Sequence, residues 1–353
     1  MTPYLDLYFV VLCGVPIAWM GDTATRRGLQ KLYFVFLWIV LSVFAGSRSL
    51  SVDRDLQTYF EWFQAIATNQ ATAAEWLRDP SFGVISYSLF HLGLGFRAVV
   101  LTYDLLAVGA LMAVAVFGVA ERWSTLAFYL LFCQYYAVAE MTELRSAVAI
   151  PLMTLSILAA CRKRWRLSAV LLLVAIFFHF SAILALPVCI FLLAGIQFRS
   201  RLYIVFLVGA AIVAYIELSP LLALLSNLYR LSEYLNGGEE QNDLKAISWY
   251  ALLHLIPIAI AVYSWKKLSL QIRVAALLSS FAMACFFMLS WNTGLATRLL
   301  YLFDLFWIVL WVYDLDRIEG ARTYLYTFLM IALGLALYVK SLQYLSPYSI
   351  IQI

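Results

Sequence analysis

The sequence predicts an all-α, polytopic integral membrane protein with about twelve transmembrane helices. Of its 353 residues, 65% are hydrophobic and 12% are charged, whereas about 25% of the residues in a soluble domain are charged. The mean hydropathy is +0.89. A soluble fold of this length could not bury so much apolar surface, so lipid must act as the solvent. Apolar segments recur from Leu5 to Lys340, and arginines and lysines cluster in every second gap between them.

The apolar segments have lengths near the roughly 20 residues that a helix needs to cross a bilayer. They are 4–20, 31–46, 98–118, 124–139, 142–161, 167–178, 181–195, 202–218, 249–265, 270–290, 299–316 and 323–341. Segment 167–178 is short, so we expect broken helices there. Segment 82–95 is apolar but interrupted by His91 and Gly93. We interpret it as a re-entrant or interfacial helix, because a full crossing there would reverse every later loop.

The charges in the gaps predict the orientation. The gaps assigned to the cytoplasm hold 15 of the 24 basic residues and only 5 of the 20 acids. Basic residues concentrate in cytoplasmic loops, so both termini and the alternate gaps are expected outside. The chain is therefore interpreted as a single membrane domain over 1–353, with its functional face on the outside.

Two of the expected outer loops are long. The 47–80 loop contains an aromatic-rich amphipathic stretch from Asp55 to Phe63, which is typical of an interfacial helix. In the 219–248 loop, leucines recur at helical spacing until Asn236-Gly-Gly, which predicts a second amphipathic helix on the outer surface.

Several kinds of chemistry are excluded by the motifs that the sequence lacks. It contains no phosphate-binding G-x-x-x-x-G-K-[ST] motif, no dinucleotide fingerprint and no G-x-S-x-G nucleophile elbow. The three histidines are scattered without metal-ligand spacing, and the five cysteines are interpreted as packing residues. We expect no metal and no cofactor. The net charge of +4 is too small, and its basic groups too dispersed, to indicate nucleic acid as a partner.

An array of arginines and carboxylates remains on the expected outer face. Arg48, Asp53 and Asp55 follow the second apolar segment. They are either an interfacial ion-pair cluster or an anion site with a general base beside it. An arginine fork matches two phosphate oxygens, and a carboxylate can accept the proton of a sugar hydroxyl.

Three further positions on this face have similar alternatives. Arg145 begins an apolar helix, where Glu143 or Glu140 could simply neutralise it. His179 lies in an apolar turn, where a lone histidine is often a packing residue. Arg298 begins a later apolar segment, where it could extend to the interface. The convergence of all these groups on one face favours a functional site.

The motifs around these residues resemble those of the EpsG/Wzy-type bacterial polysaccharide polymerases. The similar elements are Gly46-x-Arg48 with Asp53-Arg54-Asp55-x-x-x-Tyr59, Asp79-Pro80-x-Phe82, Leu144-Arg145-Ser146-x-x-Ala149, Phe178-His179-x-Ser181-Ala182 and Arg298-x-x-Tyr301. The resemblance covers nearly the whole chain. The sequence departs from the family pattern at Asp53, which replaces a glycine, at Ser146, which replaces a glutamine, and at Asp79, which replaces a glutamate.

The resemblance implies a GT-C-like membrane glycosyltransferase that needs no metal or cofactor. Such an enzyme transfers a growing glycan from undecaprenyl diphosphate onto a lipid-linked repeat unit at the periplasmic face of the bacterial inner membrane. Its partners would be that lipid-linked oligosaccharide, membrane lipid and a chain-length regulator. The implied general base is Asp55, with His179 as second choice and Glu143 as a further catalytic group. Diphosphate binding would fall to Arg48, Arg145 and Arg298. Sugar binding would fall to Tyr59, Trp62 and Tyr301.

Other classes remain open. A ligase or another lipid-linked glycosyltransferase would use similar residues. A flippase or other transporter of lipid-linked oligosaccharides would place its ionisable groups near the midplane of the membrane. A membrane acyltransferase would use His179 with access to a cytosolic acyl donor, but the charge pattern places His179 outside.

Overall fold

A computed structural model describes most of the chain as two compact units. The described residues are 2–21, 23–52, 55–72, 76, 80–198, 200–201, 204, 207, 249–289, 293–313, 315, 318 and 320–349. The first unit contains 1–193 and 312–353, and the second contains 194–311. Within the described ranges, every regular element longer than three residues is helical.

The helices of the first unit are numbered in chain order. They are α1 Thr2–Leu12, α2 Ala24–Gly46, α3 Asp55–Ala67, α4 Pro80–His91, α5 Phe96–Gly118, α6 Ser124–Leu131, α7 Leu144–Cys161, α8 Trp165–Phe178 and α9 Leu186–Leu193, with α13 Ala321–Ser341 returning near the C-terminus. The second unit contains α10 Trp249–Tyr263 and α11 Leu270–Met288, and nearly all of α12 Thr293–Tyr313 falls within it. A π-helix, Phe132–Glu140, continues α6.

Six of the described helices are long and apolar enough to cross a membrane, namely α2, α5, α7, α11, α12 and α13. Shorter apolar helices occupy Pro3–Trp19, Trp165–Phe178, Phe180–Leu193 and Ala251–Tyr263. The short and broken helices expected around 167–178 are therefore present. The total of about twelve crossings and the GT-C-like arrangement stay predictions.

The expected interfacial segments are helical where the structure describes them. In α3, the buried residues Leu56, Tyr59, Phe63 and Ile66 recur every three or four positions, as in an amphipathic helix. Helix α4 has 12 residues, fewer than a crossing requires, which suits a re-entrant or interfacial helix. Their placement in a membrane stays a prediction. The 219–248 segment lies outside the described residues.

Helices α2 and α5 pack antiparallel through a series of polar contacts. The Trp38 indole donates to the Leu105 carbonyl at 2.8 Å, and the Ser42 hydroxyl donates to the Asp104 carbonyl at 3.2 Å. At the end of α2, Gly46 lies against α5: a β-carbon there would be 3.2 Å from the Leu101 α-carbon. The absence of a side chain at Gly46 therefore permits the close approach of the two backbones.

A buried ion pair lies at this end of α2. One terminal nitrogen of Arg48 is 2.6 Å from the Ala45 carbonyl oxygen and 3.2 Å from a carboxylate oxygen of Asp104. Both side chains are almost fully buried. Glu140, at the end of the π-helix, is also completely buried, and it lies within electrostatic reach of Asp104 and Arg48. These three residues, Arg48, Asp104 and Glu140, are called the Arg48 cluster.

The π-helix is held by aromatic side chains. Phe132 stacks on Tyr338 of α13 with ring centroids 5.1 Å apart, and the Tyr136 hydroxyl donates to the Leu41 carbonyl of α2 at 2.7 Å. One helical turn earlier, Tyr129 of α6 packs against Gly334 of α13, where a β-carbon would lie only 2.4 Å from the tyrosine ring. These contacts fix the π-helix between α2 and α13.

The second unit has its own buried polar pair. Nε2 of His254 in α10 is 2.7 Å from a carboxylate oxygen of Asp304 in α12. The imidazole ring also stacks on Trp307, with centroids 4.1 Å apart and an interplanar angle of 12°. This pair joins α10 to α12 inside an apolar environment.

The Arg48–Asp104 pair predicts how the free energy of unfolding changes when one or both of its residues are replaced. Arg48→Met and Asp104→Leu are each expected to lower the free energy of unfolding by about 3–5 kcal/mol, because each leaves an uncompensated buried charge. The double variant is expected to recover much of this loss. Thermal unfolding of the purified protein in detergent measures the effect, with exposed Arg166→Gln as the control. If the double variant were as unstable as the sum of the single variants, the two side chains would not act as a pair.

Candidate functional site

Arg145 lies against two aromatic side chains of α3. Its Nε donates to the Tyr59 hydroxyl at 3.1 Å. The centre of its guanidinium is 5.3 Å from the centroid of the Tyr59 ring and 5.6 Å from that of Trp62. Both distances are within the range of cation–π attraction. The first turn of α7 is thereby joined to the middle of α3, across 86 positions of the chain.

Phe82 of α4 supports these aromatic rings from behind. It stacks on Trp62 with centroids 4.6 Å apart, and it contacts the Tyr59 ring at 5.4 Å. Its side chain is fully buried. Among the described residues, no acceptor meets the buried indole N–H of Trp62. The result is a rigid aromatic surface with a cation at its edge.

Two carboxylates complete the group. Asp55 is exposed in the first turn of α3, one helical turn before Tyr59, and half-buried Glu143 directly precedes α7. Burial raises the pKa of the Tyr59 phenol; Arg145 opposes this shift, and the charges of Asp55 and Glu143 add to it. Both acids therefore lie within electrostatic reach of the Tyr59 hydroxyl. Asp55, Tyr59, Trp62, Glu143 and Arg145 are called the Arg145 cluster.

The helix ends explain part of this geometry. A helix N-terminus carries a partial positive charge, which favours the carboxylates of Asp55 and Glu143. The Glu143 side chain also accepts a hydrogen bond from the Ser146 hydroxyl. The same field disfavours a cation, yet Arg145 is in the first turn of α7. The flanking acids and aromatic faces compensate for that unfavourable position.

Five of the nine residues to which the sequence analysis assigned roles therefore belong to one cluster. Arg48 is elsewhere: it is buried in the Arg48 cluster rather than on a surface that an anion could reach. Glu140, considered as a partner of Arg145, instead interacts electrostatically with Asp104 and Arg48. These positions give Arg48 and Glu140 a different environment from the one expected.

His179 lies at the end of α8 that faces the aromatic surface. It is half-buried, and its backbone N–H donates to the Ala175 carbonyl at 2.8 Å. The preceding Phe178 packs edge-on against Tyr103, with centroids 5.5 Å apart, and Tyr103 contacts Phe82 at 6.2 Å. A continuous series of rings thus connects the end of α8 with Trp62. The catalytic role of His179 stays a prediction.

Arg298 and Tyr301 are in the second unit, in the first half of α12. They are three positions apart, so they share one side of the helix, with Arg298 exposed and Tyr301 half-buried. The convergence of Arg298 with Arg145 stays a prediction.

Sequence reasoning missed several residues that the structure makes important. Asp104 and Asp304 are acids inside apolar segments, and His254 is a histidine inside another. An ionisable side chain at such a position needs a partner, and this signal could have identified both buried pairs. Phe82 gave no comparable signal, because aromatic residues are common throughout the chain. Within the described ranges, no group of three or more histidine, cysteine or acidic side chains could hold a metal ion.

Comparisons with known proteins identify the family. The model of the EpsG family matches residues 31–350, which includes every residue of the Arg145 cluster. No curated protein and no solved structure matches the chain significantly. The match covers far more than half of the chain and agrees with the motif resemblance described above. The chain belongs to the EpsG family.

Proposed function

We propose that the protein is a polysaccharide polymerase that transfers a growing glycan from undecaprenyl diphosphate onto a lipid-linked repeat unit at the periplasmic face of the inner membrane. Family membership and the six apolar helices indicate an integral membrane protein with a polymerase-type function. The observation that carries the finer proposal is the Arg145 cluster, which combines a guanidinium, two carboxylates and an aromatic surface.

Arg145 is suited to stabilise the leaving group, which is the lipid diphosphate. In the proposed step, the acceptor hydroxyl oxygen bonds to the anomeric carbon while the bond from that carbon to the diphosphate oxygen breaks. The electron pair of the broken bond stays on the diphosphate, whose negative charge therefore grows. A preorganised guanidinium stabilises such charge, and its planar fork matches two phosphate oxygens. Arg48 has a positioning role in this proposal, because Asp104 already neutralises it in a buried environment.

Asp55 is suited to act as the general base. It is exposed in the first turn of α3, where the partial positive charge of a helix N-terminus is compatible with a carboxylate. It can accept the proton that the attacking hydroxyl loses. Glu143 is closer along the chain to Arg145, but its carboxylate already accepts the Ser146 hydroxyl, which favours a role in holding the start of α7. His179 is the second candidate for the base.

Trp62 is proposed to bind a sugar. Its ring is half-buried, and an apolar ring surface complements the C–H face of a pyranose. Tyr59 is buried, so its contribution to sugar binding would be to hold Arg145 and Trp62 in place. Arg298 and Tyr301 are proposed to contribute a second cation and a further ring. A chain-length regulator is the proposed protein partner.

A transporter is the second candidate function, since the buried Arg48 cluster and the His254–Asp304 pair resemble the intramembrane ionisable groups of transporters. A transporter would bind the diphosphate without needing a base, so the consequences of removing the Asp55 charge distinguish the two functions.

The orientation is testable by cysteine labelling. In a background without native cysteines, Lys163→Cys is expected to be protected from an impermeant thiol reagent added to intact cells with a permeabilised outer membrane, and Thr68→Cys is expected to be labelled. Both positions are exposed. Lysed cells provide the control, since both positions should then react. Labelling of Lys163→Cys from outside would reverse the orientation and remove the periplasmic site.

Asp55→Asn is expected to abolish polymerisation while leaving the protein folded and inserted. The amide has nearly the same shape but cannot accept the proton, and a general base contributes about 10²–10⁴ in rate. The length distribution of the polysaccharide is measured in cells that contain equal amounts of each variant. Glu61→Gln, which changes another exposed acid of α3, is the matched control and should polymerise normally.

His179→Ala is measured beside these variants. Full-length polymer from Asp55→Asn would show that Asp55 is not the base. If only His179→Ala were inactive, the role would belong to the histidine. If Asp55→Asn allowed polymerisation but the Arg145 variants blocked delivery of lipid-linked units, the transporter would be favoured.

Arg145→Lys is expected to reduce polymer formation by about 10- to 100-fold, with Arg145→Gln lower still. Lysine keeps the charge but loses the planar fork and the geometry of the contacts with Tyr59 and Trp62. Arg166→Lys, at an exposed position of the same unit, is the control. Wild-type polymer from Arg145→Lys would mean that only the charge matters, and wild-type polymer from Arg145→Gln would exclude Arg145 from the reaction.

A further inference from the structure

A basic pocket lies in the second unit, at the end of α10. It has a volume of about 720 Å³ and is lined by Ser200, Arg201 and Val262–Lys267. Arg201, Lys266 and Lys267 all contribute to its wall, together with two serines, Tyr263 and Trp265. None of its described lining residues is acidic. The pocket is therefore a concave, electropositive surface.

The turn that forms one side of the pocket is fixed. Trp265 is buried, and it begins a short 3₁₀ helix that contains both lysines. Nε of Arg273 in α11 donates to the Trp265 carbonyl at 3.4 Å. This contact anchors the turn and adds a fourth positive charge beside the pocket. The side chains of Arg201, Lys266 and Lys267 remain exposed.

An apolar stripe on α10 leads into the same pocket. The exposed residues Leu252, Ile256, Ala259 and Tyr263 follow one another at spacings of three or four, so they share one face of the helix. Leu252 is 55% exposed and Ile256 is 43% exposed. Tyr263, at the end of the stripe, is 89% exposed and also lines the pocket. An aromatic side chain with a polar tip is typical of the boundary between lipid and water.

We propose that this pocket binds the headgroup of an anionic phospholipid, with an acyl chain lying along the stripe of α10. The pocket supplies positive charge for the phosphate, and hydroxyl groups for the polar part of the headgroup. The stripe supplies an apolar surface that begins where the pocket ends. A free phosphate would use the pocket alone, whereas a phospholipid uses both features. The positive-inside pattern expects this end of α10 on the cytoplasmic side, where anionic lipids attract basic residues.

The lysines have one other explanation. Basic residues near the C-terminus of a helix interact favourably with the helix dipole, and Lys266 and Lys267 follow α10. The helix dipole does not explain the concave shape of the pocket, the presence of Arg201 from another part of the chain, or the adjoining apolar stripe. It also predicts a loss of stability rather than a loss of lipid when the lysines are neutralised.

Native mass spectrometry of the delipidated full-length protein tests the proposal. The probes are phosphatidylglycerol and phosphatidylcholine with identical acyl chains, and inorganic phosphate as competitor. Phosphatidylglycerol is expected to bind at one preferred site. Arg201→Gln/Lys266→Gln/Lys267→Gln is expected to weaken that binding roughly 100-fold, because each basic residue near a membrane surface contributes about 1 kcal/mol and a tenfold change corresponds to 1.4 kcal/mol.

The matched control is Lys163→Gln/Arg164→Gln/Arg166→Gln. It removes the same charge from exposed positions just before and within the first turn of α8, which the charge pattern assigns to the same face, and it should bind phosphatidylglycerol as the wild type does. Circular dichroism and thermal unfolding verify that both variants fold. Equal binding of the two phospholipids, an equal loss in both variants, or complete displacement by millimolar phosphate would each overturn the proposal. A fall in stability of the pocket variant with unchanged lipid binding would assign the lysines to the helix dipole.

Discussion

The buried ion pair between Arg48 and Asp104 determines how the first unit is arranged. A charge away from water must be paired, so these two side chains fix the end of α2 against the middle of α5. The C-terminal residues are held at the same place: the Tyr348 hydroxyl donates to the Phe44 carbonyl at 2.8 Å, and the Ser49 amide donates to the Ser349 carbonyl at 2.8 Å. The chain leaves this anchored region only a few residues before α3 begins. The ion pair therefore supports the base of the segment that carries Asp55.

The Arg145 cluster depends on opposing preferences. The start of α7 favours acids and disfavours arginine, while the rings of Tyr59 and Trp62 attract the guanidinium. Phe82 prevents those rings from turning away. A cation held in this way is already oriented before an anion arrives, and the two nearby carboxylates limit the positive charge in the absence of substrate. Such an arrangement suits a site in which negative charge grows during the reaction.

The sequence was sufficient to predict the class of the protein, the amphipathic α3 and the shared face of Asp55 and Tyr59. It also predicted that Arg145 lies on the same membrane face as these residues. The hydrogen bond between Arg145 and Tyr59 shows that the two side chains are adjacent, and the membrane face stays a prediction. It could not predict that Arg48 turns inward, because hydropathy locates a residue along a helix but does not identify a partner 56 positions away. Asp104 contained that information, since an aspartate inside an apolar segment requires a cation.

The π-helix makes the number of residues before α7 important for the site. Each residue of an α-helix turns the chain by about 100°, so the removal of one residue from a helix rotates everything that follows. A π-helix has more residues in each turn than an α-helix, because its hydrogen bonds join residues five positions apart. The π-helix Phe132–Glu140 therefore ends at a different angle around the helix axis from an α-helix of the same length. The turn at 141–143, which contains Glu143, connects it to α7 and Arg145. A single-residue deletion in the π-helix would change where this turn begins even if every side chain of the cluster were retained, so the length of the segment matters as well as its residues.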